Sequence, residues 1–312
     1  LDGDEAFGGA RHAPQARGKS ERLFGTFQNR IVTLLTHANA EASEHALRKP
    51  PWRLRAAGFR AFVSPHIVMI FRGFLHCSVA LATLVSAVAF ELPASSTQCL
   101  AGIAETWNSS TATLRFYEKS GGRWVQSGPP WQARLGKSGL VWGAGMHPVP
   151  PGSVTKKEGD WRSPAGVFAI GGAWGYDATI RKHPKLYYRQ ITPRDLWVED
   201  PASEHYNRHL VLEHDPSSPW ERKQQMKQTD PAHALKLFIA HNAPPGVMPG
   251  DGSSIFFHIW RSGGGKPTAG CTTMDENKLR ELIARIDPAR RPLYVLLPKA
   301  EYGKFRSAWK LP

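Results

Sequence analysis

The sequence predicts a mainly β protein with some α, and three observations carry that reading. Short segments of alternating or β-branched residues are set off by Gly and Pro turns from about residue 110 onward. One helical period appears late in the chain, where Leu279, Leu282, Ile283 and Ile286 fall on a single face. No internal repeat or heptad array interrupts the pattern, so one domain from about 100 to 312 is the simplest account of the folded part.

Taken in order, segments 110–117, 122–126 and 139–143 read as strands. A turn-rich loop over 156–166 enters a further strand at 167–170. From 171 to about 228 the chain is polar and aromatic with few periodic elements; that length exceeds an ordinary connection and predicts a substrate-facing insertion. Its first residues, Gly171-Gly172-Ala173-Trp174-Gly175, lack both the G-x-G-x-x-G spacing and a Walker lysine, and read as a turn beside an aromatic. Segments 235–241 and 254–260 are strands again. After Cys271 comes the helix, with Asp275 placed to cap it and Asp287-Pro288 to end it. The run 293–297 is a buried strand closed by Pro298.

With 312 residues and 41% apolar content the chain can bury a core unaided. Its formal net charge of +14 suggests an anionic partner: nucleic acid, a membrane surface or a bacterial wall polymer. A merely soluble basic surface is the other reading. No long Lys/Arg block with interleaved aromatics occurs, which argues against nucleic acid. Three cysteines, Cys77, Cys99 and Cys271, are too few for a disulfide framework.

The chain begins with Leu1 and its first methionine is Met69. From Met69 a basic start, an apolar run and the exit Ala87-Val88-Ala89 match a secretory signal peptide over 69–89, with cleavage expected after Ala89. The protein is then expected in the periplasm or cell envelope, and residues 90–312 keep 29 basic and 20 acidic side chains, a net +9. Residues 1–68, rich in Arg, Ala and His, read as non-native upstream translation or a disordered tail. The alternative is a retained signal anchor spanning 73–90, with Arg72 on the cytoplasmic flank.

The chemistry is concentrated near the C-terminal third. His258 ends an apolar run, a Gly-rich connection through Ser262-Gly263-Gly264-Gly265 follows, and Cys271 stands thirteen residues after the histidine. Two adjacent strands joined this way could set an imidazole against a thiol, and the thiolate is the reactive species. Gly270 would let a substrate carbonyl approach, with the N–H groups of Gly270 and Cys271 placed for an oxyanion. The same residues also fit a buried structural thiol and a satisfied core histidine, and spacing alone leaves both readings open. His205, His209 and His214 lack the glutamate of a zincin helix and lie between Pro201 and Pro216, so they read as surface histidines rather than metal ligands. Asp160 and Asp200 read as turn anchors beside Gly and Pro. His241 and Asn242 fit either a cleft or a core role.

Ile255-Phe256-Phe257-His258-Ile259-Trp260 together with Pro267-Thr268-Ala269-Gly270-Cys271-Thr272-Thr273-Met274 resembles the YkuD-type L,D-transpeptidase catalytic domain, whose motif is a His followed by Ser/Thr-x-Gly-Cys. Glu158-Gly159-Asp160, Ser163-Pro164-Ala165-Gly166-Val167-Phe168, Asp200-Pro201-Ala202-Ser203, Tyr206-Asn207, Asn242 and Pro249-Gly250 extend the likeness over about 110–299. The resemblance implies a sandwich or barrel-like β domain with a helix following the nucleophile, and an envelope enzyme of cell wall biogenesis and cell shape. Cys271 would be the nucleophile and His258 the general base, with Gly270, Thr268, Thr272 and Trp260 around the oxyanion and substrate. The thiolate would attack a peptidoglycan stem peptide, leave a thioester, and pass the acyl group to an amine in a 3→3 cross-link. Water as acceptor would give carboxypeptidase or endopeptidase activity, and a degenerate pair would leave a wall-binding module. No cofactor, metal, nucleic acid or stable protein partner is implied, and a membrane only if the signal segment is retained. Two positions depart from the family pattern: Ala269 stands where many members carry His, and Thr273 where many carry Arg. Arg261, Lys266 and the insertion are the candidates to supply the missing grip on a substrate carboxylate.

Overall fold

A computed structural model describes residues 90–312, so the expected tail and signal segment over 1–89 lie outside the described residues. The fold is mostly β. Eight strands close on themselves in the order β1 (Gln98–Ala104), β13 (Leu293–Pro298), β6 (Ser163–Gly175), β10 (Leu235–Ile239), β11 (Phe256–Ile259), β12 (Thr272–Met274), β4 (Trp131–Arg134) and β2 (Thr111–Ser120), which pairs back onto β1. The ring is barrel-like and needs no edge at its seam. Two of its pairings are parallel, β1 with β13 and β11 with β12, and the rest are antiparallel. The short strands β3 (Arg123–Gln126), β5 (Leu140–Trp142) and β7 (Tyr188–Gln190) attach outside the ring, and β8 (Asp195–Trp197) with β9 (His209–Val211) makes a separate hairpin.

The interior fills with residues that alternate inward. Leu114, Phe116, Val167, Leu237, Phe257, Val295 and Leu297 are all essentially inaccessible. Burying a side chain of this size contributes about 1.5–3 kcal/mol. Helix α2 (Glu276–Arg285) lays Leu279, Leu282 and Ile283 on this core, and the Asp275 carboxylate caps it by accepting from Asn277 N at 2.9 Å. The shorter helices are α1 (Pro219–Lys223), which opens with a capping box from Ser218 and Glu221, and α3 (Lys299–Phe305).

Two differences from the sequence reading have clear physical causes. Gly171–Gly175 is not a turn but the second half of the thirteen-residue strand β6, with Ala173 opposite Leu237 and Trp174 opposite Lys236. Its glycines are close approaches: a Cβ on Gly171 would lie 2.9 Å from the Phe238 ring, and one on Gly172 2.7 Å from the Tyr187 ring. Strand β1 and helix α3 go unread in the sequence, because β1 is buried along nearly its whole length and carries no polar alternation. Cys99 lies in β1 with no solvent exposure, and burial pushes its thiol far up.

Candidate active site

The site is built by strand register. Trp174 on β6, Lys236 on β10, His258 on β11, Thr273 on β12 and Arg134 on β4 are successive cross-strand partners, so their side chains form one row on the outer face of the barrel. Alternation sends the neighbouring row, Ala173, Leu237, Phe257 and Thr272, into the interior. Cys271, immediately before β12, joins the outer row and packs against the apolar cluster that contains Phe256.

The segment 176–228 roofs this face. Ile191, Trp197 and Met226 form a second apolar cluster with Trp174 and Phe256, and the Trp197 ring stands edge-on to Phe256 at 4.8 Å and to Trp174 at 5.5 Å. Asp195, fully buried, pins the hairpin: it accepts from His209 Nε2 at 2.8 Å, from Thr192 Oγ1 at 2.6 Å and from the Arg189 guanidinium. Burial opposes its charge, yet these donors hold its carboxyl well below the usual range. His209 is therefore an internal partner of Asp195, while His205 and His214 lie at the surface. Asn207, with φ at 56°, donates to the carbonyls of His241 and Asn242 and accepts from Ser254 N at 3.0 Å, tying the insertion to the segment beside the thiol. His241 and Asn242 are buried staples: the Asn242 side chain closes its loop onto Met248 and Gly252.

The thiol and imidazole share this face without bonding directly. Cys271 Sγ donates to the Ser254 carbonyl at 3.4 Å, and Ser254 holds a positive φ of 57°. Burial raises the Cys271 pKa; the Phe256 N–H and the Lys236 and Lys156 ammonium groups oppose that rise. His258 is 2% exposed. Its Nδ1 lies 2.9 Å from the Ile259 carbonyl, and the backbone of Ala232 is a second hydrogen-bond partner of the ring. Burial brings its pKa down to about 4, and Lys236 and Arg261 add repulsion, so the ring is neutral at pH 7. His233 stacks on it with ring centroids 4.8 Å apart, and Arg261 buttresses His233 at 2.9 Å while ion-pairing with Asp230 at 2.5 Å. Arg261 is thus committed behind the imidazole, and Lys266 is exposed at the loop.

The loop before Cys271 is stapled from within. Thr268 Oγ1 accepts from Gly270 N at 3.0 Å and donates to the Cys271 carbonyl at 2.7 Å. Ser163 Oγ donates to the Gly270 carbonyl at 2.8 Å. Gly270 has φ at 154°, and a Cβ there would meet the Arg162 carbonyl at 3.0 Å, so the position calls for glycine. These bonds revise the roles that the resemblance implied for the residues around Cys271. Thr268 holds the loop instead of facing substrate, and the Gly270 N–H is already taken by it. Thr272 points inward to Tyr294 Oη at 3.0 Å, because alternation along β12 puts it on the face opposite Cys271. Trp260 lies on the outer side, half-buried, with its ring over Gly264. Asp160 anchors its turn, accepting from Lys156 Nζ at 2.5 Å and from the Lys157 and Arg162 N–H groups. Asp200 accepts from Ala202 N and Trp220 Nε1. Lys236 and Arg134 escape a reading of motifs; the period-2 alternation of 235–241 is the signal that would have separated Lys236 from the inward leucines.

The model of the YkuD family, the L,D-transpeptidase catalytic domain, matches residues 106–295. No curated protein matches the chain. A solved structure, that of the helical cell shape determining protein Pgp2 from Campylobacter jejuni, is similar at 14% identity and a TM-score of 0.31, over 65% of this chain and 48% of that one. The chain thus spans about half the length of that protein.

Proposed function

The chain belongs to the YkuD family of L,D-transpeptidase catalytic domains, and from that membership we propose that it is an exported cysteine acyltransferase acting on peptidoglycan stem peptides. The observation that carries the reading is the shared outer face of His258 on β11 and Cys271 immediately before the parallel strand β12, inside the matched region.

Cys271 is the nucleophile and His258 the base. His258 takes the Cys271 thiol proton, the sulfur attacks the carbonyl carbon of the third stem residue, and the electron pair of the C=O bond moves to oxygen. The Cys271 N–H is the backbone donor proposed for that oxyanion, since the Gly270 N–H is engaged by Thr268. Collapse breaks the C–N bond, the terminal D-alanine leaves as its amine with a proton delivered from His258, and a thioester remains on Cys271. An amine from a second stem attacks the thioester, loses a proton to His258, and releases the thiolate with a 3→3 cross-link formed. The neutral resting state of His258 suits proton acceptance. The roof of Trp197 and Met226 over Phe256 supports a site that shields the thioester from water, which favours transfer over hydrolysis.

Incubation of the exported protein with purified tetrapeptide stems, followed by mass spectrometry of the products, tests this reading. Cross-linked dimers are expected. Tripeptides alone would make the protein a hydrolase, and neither turnover nor acylation of Cys271 would make it a wall-binding module.

A further inference from the structure

Trp161 sits where a bulky side chain is out of place. Its φ is 60°, in the left-handed region that large side chains rarely adopt, and 46% of its surface is exposed. The turn is fixed from both sides: Asp160 accepts from the N–H groups of Lys157 and Arg162 at 2.9 Å, and the Trp161 carbonyl accepts from Ser138 N at 3.0 Å. Among the described residues the indole N–H has no hydrogen-bond partner, and the ring meets the Lys137 ammonium at 4.1 Å over one face. An exposed cation–π contact returns less than the left-handed backbone costs a residue with a Cβ, so glycine would serve this turn at least as well. The fold itself gives no use for an indole here. Its position, however, is beside the nucleophile. Lys137, whose ammonium covers the ring, donates its N–H to the Thr268 carbonyl at 2.9 Å, and Ser163 donates through Oγ to the Gly270 carbonyl at 2.8 Å. Ser163 follows Trp161 by two residues, a reach of at most about 7 Å, so the indole flanks the Cys271 loop.

We propose that Trp161 is a stacking platform for a pyranose ring of the glycan strand from which the stem peptide hangs. The C–H face of a pyranose is apolar and weakly positive, which matches the negative face of an indole. The indole N–H and the Lys137 ammonium are donors for hydroxyl and acetamide oxygens at the sugar's edge. In the reaction proposed above the attacked carbonyl belongs to the third stem residue, so three residues, at most about 10 Å of extended chain, separate it from the sugar. That length is comparable with the step from the Gly270 carbonyl through Ser163 to Trp161. The inference rests on the stem-peptide reading and adds to it a preference for stems still attached to glycan.

Two measurements test it, on the native protein and three variants. Trp161→Gly and Trp161→Asn both accept the left-handed backbone and are expected to melt close to native, while Trp161→Phe keeps an aromatic face. Steady-state kinetics compares a free tetrapeptide stem with the same stem on its disaccharide. In Trp161→Gly and Trp161→Asn the KM for the disaccharide-linked stem is expected to rise about tenfold, with kcat and the free-stem constants within about twofold of native, and Trp161→Phe to keep most of the native preference. Saturation-transfer NMR with a peptide-free N-acetylglucosamine tetrasaccharide reads the same contact without turnover. Transfer to the pyranose C–H protons is expected in the native protein and Trp161→Phe and is expected to be lost in the other two. An unchanged KM for linked stems, or unchanged saturation transfer, in whichever of Trp161→Gly and Trp161→Asn folds overturns the platform and leaves the acyl-transfer reading intact, as does a native protein that shows no transfer. Saturation transfer that depends on Trp161 in a protein that turns over no stem sinks only the proposed reaction.

Discussion

Strands β11 and β12 carry two regions of opposite character on the same few residues. Phe257, Thr272 and Met274 face the barrel interior, where apolar packing dominates and Thr272 and Tyr294 satisfy one another. Phe256, His258, Cys271 and Thr273 face the outer site, where neutral imidazoles, two ammonium groups and a thiol lie under the insertion. A step of one residue moves a side chain from holding the fold to the proposed chemistry. Stability and activity should therefore separate by parity along these strands, and three substitutions break or sharpen that separation.

The largest effect is expected on the outer face. His258→Gln should lower acyl transfer by about 10²–10⁴-fold, the range for loss of a general base, with thermal stability nearly unchanged; steady-state kinetics beside a melting curve checks both. Loss of stability with activity kept would invert the comparison.

Next is the roof. Asp195→Asn removes a buried charge held by His209 and Arg189, and should cost about 3 kcal/mol in a denaturant titration. The native carboxyl is depressed below its unfolded value, so its contribution is present above the unfolded carboxylate range near ~3.9 and fades as pH falls toward the folded value. Acid unfolding of the native protein should accordingly be steeper than that of the variant, and equal slopes would remove Asp195 as the pin.

The smallest effect belongs to the inner face. Thr272→Val leaves the Tyr294 hydroxyl without its partner and should cost about 1 kcal/mol, with transfer rates within about twofold of native. A large loss of activity there would return Thr272 to the substrate side.

Much of this architecture is legible in the chain. The segments around 110–126 and 139–143, those at 235–241, 254–260 and 293–297, and the Asp275-capped helix all correspond to observed elements, because alternation, turn residues and the cap are local signals. What escapes is non-local. Strand β1 is recognised only by its partners β13 and β2. Gly171–Gly175 resembles a turn until the rings of Phe238 and Tyr187 show why side chains are excluded. The motif around Cys271 is readable, yet which neighbour faces the thiol depends on register: Thr272 turns away, Thr268 is consumed by its own loop, and Lys236 arrives from a strand more than thirty residues earlier.

The central claim, that Cys271 carries the acyl group on the outer face, is tested most directly by intact-protein mass spectrometry after brief exposure to a tetrapeptide stem, acid-quenched and mapped by peptide. A mass increase of one tripeptide acyl group on the Cys271 peptide, released by hydroxylamine and absent from Cys271→Ala, is the predicted result. Turnover of the stem that survives Cys271→Ala would contradict it.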